Sequence, residues 1–238
     1  MVKQKAIKKI YPDTMSITDK ISTAFRLCGK GLAEKPANFP IKTADEILTK
    51  YNVNNKLLDY SCGWGVRLLS ALRNNIDYYG TDPNYLLCDR LDQLANDYKN
   101  ICNNNTKVDI RKHGSEIFVP EWENTFGLAF SSPPYFNLED YKVGDQSYYD
   151  GVTYDEWISN YMAATISNIY KYLIKEGYFV INIKNFKNYD LIQDVGNICK
   201  NVGFKLHDKM LLKNNLRTGI SNHHNNEDIF IYIKDNNQ

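Results

Sequence analysis

The chain of 238 residues has the length of one domain, and its 43% hydrophobic and 24% charged residues are typical of a globular protein. A net charge of +1 gives no overall signature of nucleic-acid binding, so any phosphate contacts should be local and few. No apolar run approaches the roughly 18 residues that span a bilayer, and the first residues lack an apolar signal segment. Five scattered cysteines without a C-x-x-C pair indicate reduced thiols and no metal site. We therefore expect a cytoplasmic protein that has no membrane partner.

Helix-like and strand-like segments alternate from about residue 42 onward. Helices are predicted at 43–51 (capped by Thr43), 66–74, 84–100, 154–173 (ended by Glu176-Gly177) and 189–201. Strands are predicted at 56–61, 76–82, 108–114, 126–132, 178–184, 205–213 and 228–234. This order predicts an α/β fold, with a mostly parallel sheet, helices on both faces and an antiparallel edge strand. Ligands of such sheets bind beyond the carboxyl ends of the strands, so the turns that follow the strands are the places to search.

The first of these turns is rich in glycine. Asp59 ends the strand, and Gly63 and Gly65 form a tight loop before the helix. Glycine lets a backbone approach a ligand closely because it has no Cβ. A dinucleotide fingerprint needs a third glycine where this chain has Leu68, so the loop fits an ordinary turn as well as a cofactor site.

The second turn adds an acidic residue at an informative distance. Asp82 ends the next strand 19 positions after Gly63, and Pro83 follows it. Such a carboxylate can accept both ribose hydroxyls of a nucleoside cofactor, although it can also cap the next helix. A nucleoside cofactor without a phosphate loop indicates S-adenosylmethionine, whose sulfonium and ammonium would give Asp59 a purpose. The third turn would then place Ser115 beside the adenine.

The fourth turn contains a double proline. Ser132-Pro133-Pro134-Tyr135 follows an apolar strand, and proline can neither continue a strand ladder nor lie inside a helix. The turn is either a rigid surface corner or a device that fixes acceptor oxygens and an aromatic ring at the ligand edge of the sheet. The glycine loop and Asp82 upstream favour the second interpretation.

On these motifs the chain resembles the S-adenosylmethionine-dependent DNA methyltransferases that act on exocyclic amines, adenine N6 or cytosine N4. Their catalytic motif, Asp/Asn/Ser-Pro-Pro-Tyr/Phe, is matched at all four positions by residues 132–135. Their cofactor motif, Asp-Pro-Phe-x-Gly-x-Gly, has its aspartate and both glycines here, while Tyr60 and Ser61 replace proline and phenylalanine. The resemblance covers about residues 35–234 and implies a class I methyltransferase-like (Rossmann-like) fold.

The resemblance also implies roles for individual residues. Ser132, Pro133, Pro134 and Tyr135 would be catalytic, with Phe136 on the substrate side. S-adenosylmethionine would be held by Phe39, Pro40, Asp59, Ser61, Cys62, Gly63, Gly65, Asp82, Pro83 and Ser115. Serine at the first motif position is commoner among cytosine-N4 enzymes, so cytosine N4 is favoured over adenine N6.

The substrate implied by the resemblance is DNA, either a single strand or a duplex from which the base is flipped. Residues 1–34 form a basic N-terminal extension and residues 35–238 the methyltransferase domain, which leaves no separate large target-recognition domain. A homodimer or a partner subunit could supply that function. Two long loops, 137–157 and 213–227, are candidates for contacts with the base and with phosphate, the latter through Arg217.

Three other interpretations stay open. The same motif serves methylation of amines on RNA and on other substrates. A non-catalytic, methyltransferase-like subunit of a modification complex would keep the scaffold without turnover, although the intact motifs argue against it. A nicotinamide-dependent oxidoreductase is disfavoured by the missing third glycine and by the proline turn.

Overall fold

A computed structural model of the chain describes residues 39–138, 141, 146–212 and 227–235. The predicted N-terminal extension, residues 1–34, lies outside the described residues, as do Arg217 and most of the loop 213–227.

The described part of the chain alternates helices and strands as the sequence predicts. The helices are α1 (Ile41–Tyr51), α2 (Val66–Arg73), α3 (Tyr85–Cys102), α4 (Tyr154–Trp157), α5 (Ala164–Tyr172) and α6 (Leu191–Val202). A π-helical segment, Ile158–Ala163, joins α4 to α5. The strands are β1 (Lys56–Asp59), β2 (Asp77–Thr81), β3 (Val108–Arg111), β4 (Phe126–Ser131), β5 (Leu173–Ile183), β6 (Phe204–Leu212) and β7 (Glu227–Lys234).

These strands form one seven-stranded sheet in the order β3-β2-β1-β4-β5-β7-β6. The pairs from β3 across to β5 are parallel, whereas β7 runs antiparallel to both β5 and β6. The predicted fold is therefore confirmed, including its antiparallel edge. The strand order reverses between β1 and β4, which is where open α/β sheets bind their ligands.

Alternate residues of the central strands face two separate apolar layers. Leu57 and Leu128 pack among α1, α2 and α3, whereas Leu58 and Ala129 pack among α5, α6 and the π-helical segment. Successive side chains of a strand point to opposite faces, so a strand covered on both sides is apolar throughout. All six residues of β4 are buried for this reason. Rigid packing on both faces fixes where the carboxyl ends of β1 and β4 lie.

Several predicted boundaries are wrong. Helix α1 begins at Ile41 with Pro40 as its N-cap, not at the predicted cap Thr43. The long helix predicted to run to 173 ends at Tyr172, because Leu173 is already extended and pairs with Phe126 of β4. Strand β5 consequently starts five residues earlier than the predicted 178.

Candidate functional site

The glycine loop and the double-proline turn meet at the carboxyl ends of two neighbouring strands. β1 pairs with β4 in parallel, so the segments that follow both strands leave the same edge of the sheet. The Ser131 hydroxyl, at the end of β4, donates to the Asp59 carboxylate at 2.8 Å and lies 3.1 Å from the Ser61 carbonyl oxygen. The two predicted motifs are thus tied to each other through one serine.

Asp59 lies fully buried beneath the glycine loop. Its carboxylate accepts hydrogen bonds from Arg67 Nε at 2.9 Å, from the Tyr78 hydroxyl at 2.8 Å and from Ser131. A buried carboxylate needs such partners because the loss of hydration is costly. Its predicted contact with a cofactor stays a prediction, since what the structure shows is an anchor for the loop.

Arg67, which the sequence analysis did not single out, joins this anchor to the loop. Its guanidinium pairs with Asp59 and also donates to the carbonyl oxygens of Ser61 and Cys62. Burial is the largest single influence and opposes its charge, but the attraction and hydrogen bond of Asp59, together with smaller contributions from Tyr78 and Cys62, outweigh it, so the pKa of Arg67 is raised. The only signal in the sequence was a charged residue among the mostly apolar residues at the start of α2.

The glycine loop is packed tightly at Gly65 and less tightly at Gly63. Gly65 has φ +80°, and a Cβ there would lie 2.6 Å from Leu91 Cδ2, so α3 packs directly against this backbone. Gly63 has φ +53°, but the nearest atoms to a Cβ would be 3.8 Å away. Both angles favour glycine. Gly63 therefore has room beside its backbone, while Cys62 is buried, with its N–H bonded to the Thr81 carbonyl oxygen and its own carbonyl oxygen bonded to Arg67.

Asp82 is held at the end of β2 by backbone groups alone. Its carboxylate accepts the Gly63 N–H at 3.2 Å and the Asn84 N–H at 3.0 Å, across the intervening Pro83. Asn84, not Asp82, is the N-cap of α3, since its side chain accepts the Leu87 N–H. An ionised carboxylate has about four acceptor sites, so two remain for ribose hydroxyls. Burial is the main cause that raises the pKa of Asp82.

A group of hydroxyl-bearing residues connects Ser115 with α5 and with the π-helical segment. Ser115 is buried and its hydroxyl lies 2.8 Å from that of Thr165 in α5. Burial raises the pKa of Tyr161, in the π-helical segment, and the nearby side chains of Ser61 and Ser115 partly oppose that rise. π-helical segments are frequent at functional sites. Tyr161 thus lies near two predicted cofactor residues that are 54 positions apart.

The double-proline turn is fixed by a buried asparagine of β5. Ser132 Oγ donates to Asn182 Oδ1 at 3.3 Å, and the Tyr135 hydroxyl donates to the Asn182 carbonyl oxygen at 3.2 Å. Pro133 between them is buried. Asn182 is 1% exposed and lies 50 positions from Ser132 in the chain, so sequence spacing gave no sign of it.

The aromatic residues of the turn are buried. Tyr135 is 4% exposed, and its ring stacks on Phe186 with centroids 6.3 Å apart. Phe136 is 3% exposed and has φ +38°, an angle that is unusual for a bulky residue and concentrates at functional sites. Its ring contacts Tyr148, Tyr154, Trp157 and Tyr189. Phe136 supports the turn from behind, while base stacking on Tyr135 stays a prediction.

The remaining predicted residues are placed as follows. Phe39 packs edge-on against Phe130 of β4, with ring centroids 5.3 Å apart, and leads into Pro40 at the start of α1. Phe130 also lies 5.8 Å beneath the Arg67 guanidinium, so Phe39 is close to the glycine loop. Arg217 lies outside the described residues. Within those residues, no group of three or more His, Cys, Asp or Glu is arranged to hold a metal ion.

Among the described helices, none combines the length and the apolarity that crossing a membrane requires.

Comparison with known proteins gives structural relatives only. No protein-family model and no curated protein sequence matches the chain. The N-methyltransferase NodS of Bradyrhizobium japonicum WM9 is similar in structure, with a TM-score of 0.56, 11% identity and coverage of 82% of this chain and 94% of that one. Magnesium protoporphyrin IX methyltransferase of Synechocystis PCC 6803, solved with bound S-adenosylmethionine, is also similar in structure. Its TM-score is 0.52 and its identity 10%, and the match covers 95% of this chain and 88% of that one.

The [4+2]-cyclase SpnF is similar to the same degree, with a TM-score of 0.55, 13% identity and coverage of 82% and 80%. Identities this low show the fold and nothing finer. The chain has a class I methyltransferase-like, Rossmann-like fold. Because a cyclase is similar to it as well, activity has to be argued from the site.

Proposed function

We propose that this chain is an S-adenosylmethionine-dependent methyltransferase that acts on an exocyclic amine of a DNA base, with cytosine N4 favoured over adenine N6. One observation carries the proposal. The Ser132-Pro133-Pro134-Tyr135 turn leaves β4 directly beside the glycine loop of β1, and Ser131 hydrogen-bonds to Asp59 beneath that loop. A donor site and an acceptor turn at one switch point are the arrangement that methyl transfer needs.

The residues present fit S-adenosylmethionine. The loop is less tightly packed at Gly63 than at Gly65, which leaves room for a ligand beside its backbone, and Asp82 keeps acceptor sites for ribose hydroxyls. The hydroxyl of Ser115, 2.8 Å from that of Thr165, and the hydroxyl of Ser61 are available for polar atoms of the cofactor. When bound, the cofactor would supply a methyl group on a sulfonium, and the neutral thioether, S-adenosylhomocysteine, would leave without help from an acid. Several structural relatives are methyltransferases, and one of them was solved with bound S-adenosylmethionine, which supports the same cofactor here.

The double-proline turn provides hydrogen-bond acceptors that can make an exocyclic amine more nucleophilic. The lone pair of such an amine is delocalised into the ring, so its nitrogen is a poor nucleophile. Ser132 Oγ and the Pro133 carbonyl oxygen can each accept one amine hydrogen, which localises the lone pair on nitrogen. Because Asn182 and the two prolines hold these acceptors in place, alignment costs little at the moment of reaction. The chain needs no general acid for this chemistry, and the methylated nitrogen, which carries a positive charge, then loses its surplus proton to solvent.

The choice of DNA rests on the four-residue motif and not on the fold. Serine in the first motif position favours cytosine N4. A base would have to be extruded from a duplex or supplied as a single strand to reach a turn this close to the sheet. Recognition of a sequence by a homodimer or a partner subunit belongs to the same proposal. Methylation of RNA or of another amine is the second candidate, because the turn acts on the amine and not on the sugar.

The test is methyl transfer followed by nucleoside analysis. The chain is incubated with methyl-labelled S-adenosylmethionine and, separately, with duplex DNA, denatured DNA, tRNA and rRNA, and the products are digested and weighed by mass spectrometry. We expect N4-methylcytosine in DNA. N6-methyladenine would correct the base, and label in RNA alone would favour the second candidate. Tight binding of S-adenosylmethionine without any transfer would indicate a non-catalytic subunit.

A further inference from the structure

Asn182 makes two separate contacts with the double-proline turn, one through its side chain and one through its backbone. The side-chain oxygen accepts from Ser132 and the backbone oxygen accepts from Tyr135. Asn182 is 1% exposed and lies in β5 opposite Ile229 of β7. A substitution of the side chain would remove the first contact and leave the second in place.

The orientation of the Asn182 amide is fixed from its other end. Nδ2 donates to the Asp228 carbonyl oxygen of β7 at 3.1 Å. If the amide were turned over, Oδ1 would face that carbonyl and two acceptors would oppose each other without a proton between them. Oδ1 must therefore point toward Ser132, and it can only accept.

This orientation determines which way the Ser132 hydroxyl points. A serine hydroxyl has one hydrogen to donate and two lone pairs to accept with, and its hydrogen rotates freely unless a partner holds it. Here the hydrogen is directed at Asn182 Oδ1, 3.3 Å away. The Ser132 oxygen consequently presents only lone pairs to whatever enters the site.

We propose that Asn182 is a positioning residue that sets the specificity of the site for an N–H donor, because it commits the Ser132 hydrogen and leaves Ser132 Oγ as an obligate acceptor. This inference rests on the proposed function. A ring that bears an amine donates to that oxygen, whereas the analogue that bears a carbonyl at the same place brings a second acceptor against it. Sites built on a committed hydrogen bond reject such analogues strongly.

The experiment combines kinetics with a binding comparison. The rate of methyl transfer to the base that the wild type methylates is measured for the wild type, Ser132→Ala, Asn182→Ala and the double variant. The affinity of each protein for S-adenosylhomocysteine serves as a check on folding. We expect Asn182→Ala to lower kcat about tenfold, the effect of one net hydrogen bond. Because Asn182 acts through Ser132, the double variant should be within about twofold of Ser132→Ala, the non-additivity of residues in one network.

The binding comparison uses single-stranded oligonucleotides in the presence of S-adenosylhomocysteine. Two oligonucleotides are compared, one with the target base and one with its carbonyl analogue at the same position. The comparison is cytosine against uracil or adenine against hypoxanthine, according to which base the wild type methylates. The wild type should prefer the amine, and Asn182→Ala should lose most of that preference because the freed hydroxyl can donate. A merely structural role would weaken both probes equally.

Asn54 provides the matched control. Its amide also uses both ends to hold β4, with Nδ2 donating to the Thr125 carbonyl oxygen and Oδ1 accepting the Gly127 N–H, but at the amino end of the strand. Asn54→Ala should destabilise the fold without changing the preference, and its kinetic effect should multiply with that of Ser132→Ala. Should Asn182→Ala not fold, Asn182→Ser is the second variant, since it is too short to hold both contacts.

The outcomes separate the two proposals. If the wild type methylates the amine but the losses of Asn182→Ala and Ser132→Ala multiply, or the amine preference is unchanged, the role of Asn182 is wrong and the proposed function stands. If the wild type transfers methyl to no amine probe, the proposed function fails and the inference fails with it.

Discussion

Two aspartates at the ends of adjacent parallel strands show how differently one residue type can be used. Asp59 of β1 pairs in register with Gly80, two residues before Asp82 at the end of β2. Asp59 is fully buried and bonded to the side chains of Arg67, Tyr78 and Ser131. Asp82 is partly exposed and bonded to two backbone N–H groups.

The difference lies in what each carboxylate has left to offer. A carboxylate neutralised by a buried guanidinium is part of the framework, and removal of its partner is costly. A carboxylate that is held only by backbone N–H groups keeps its negative charge and has acceptor sites left for a ligand. We therefore expect Asp59 to govern stability and Asp82 to govern cofactor affinity, and each prediction below tests one side of that division.

The largest effect is expected from Arg67→Ala. It leaves the Asp59 charge buried without its cation and removes the donors that hold the carbonyls of Ser61 and Cys62. The free energy of unfolding should fall by about 3–5 kcal/mol, the usual result of breaking a buried ion pair. Urea denaturation followed by tryptophan fluorescence measures it.

Arg111→Ala is the control for that variant. Arg111 also forms ion pairs, with Asp109 and Glu121, but its side chain is 37% exposed. Solvent-exposed pairs contribute at most about 1 kcal/mol. A loss for Arg67→Ala no larger than that of Arg111→Ala would contradict the framework role of Asp59.

The next effect is on binding. Asp82→Asn keeps the shape of the side chain but removes the charge that would accept ribose hydroxyls. Hydrogen bonds to charged groups contribute about 1.5–3 kcal/mol, so the affinity for S-adenosylmethionine should fall about 10- to 100-fold. Isothermal titration calorimetry gives the dissociation constant directly.

Asp89→Asn is the matched control for the binding measurement. Asp89 lies in α3, where its exposed carboxylate pairs with Lys112. The affinity of the Asp89→Asn variant for S-adenosylmethionine should equal that of the wild type. Equal affinities for Asp82→Asn and Asp89→Asn would remove Asp82 from the cofactor site.

The sequence predicted the parts of this site that depend on local order. Alternation of strands and helices predicted the sheet, and parallel strands bring their carboxyl ends together, so Gly63, Asp82 and the turn at Ser132 were predicted to lie at one edge. The positive φ of Gly63 and Gly65 follows from the same local chemistry.

The parts that the sequence did not predict depend on long-range packing. Asn182 accepts a hydrogen bond from Ser132, 50 positions away, and Tyr161 lies near Ser61, 100 positions away. A buried polar residue inside an apolar strand has no local signature. The end of α5 was missed for the same reason, because the pairing of Leu173 with Phe126 overrides the helical pattern before it.

The smallest predicted effect is a pH dependence of cofactor affinity that comes from Asp82. Burial is the first cause of its raised pKa, and the N–H groups of Asn84 and Gly63 only partly oppose it. As the pH falls toward that raised pKa, the ionised fraction falls, so the dissociation constant of S-adenosylmethionine should increase between pH 7 and pH 5. Full protonation at most removes the charge, so the increase cannot exceed the loss caused by Asp82→Asn, and that variant should show no such dependence.

Folding stability responds to the same group with the opposite sign. A carboxyl whose pKa is raised by folding binds its proton more tightly in the folded state, so its contribution to stability is fully present at low pH and is lost as the pH rises through the raised pKa. Acidification should therefore weaken cofactor binding without destabilising the fold through Asp82. Calorimetric titrations and thermal melts of the wild type and Asp82→Asn at pH 7, 6 and 5 separate the two quantities. Suppose that the affinity for S-adenosylmethionine and the folding stability of the wild type fell together on acidification, and that Asp82→Asn behaved identically. The pH response would then come from the buried residues around Asp59 and not from Asp82.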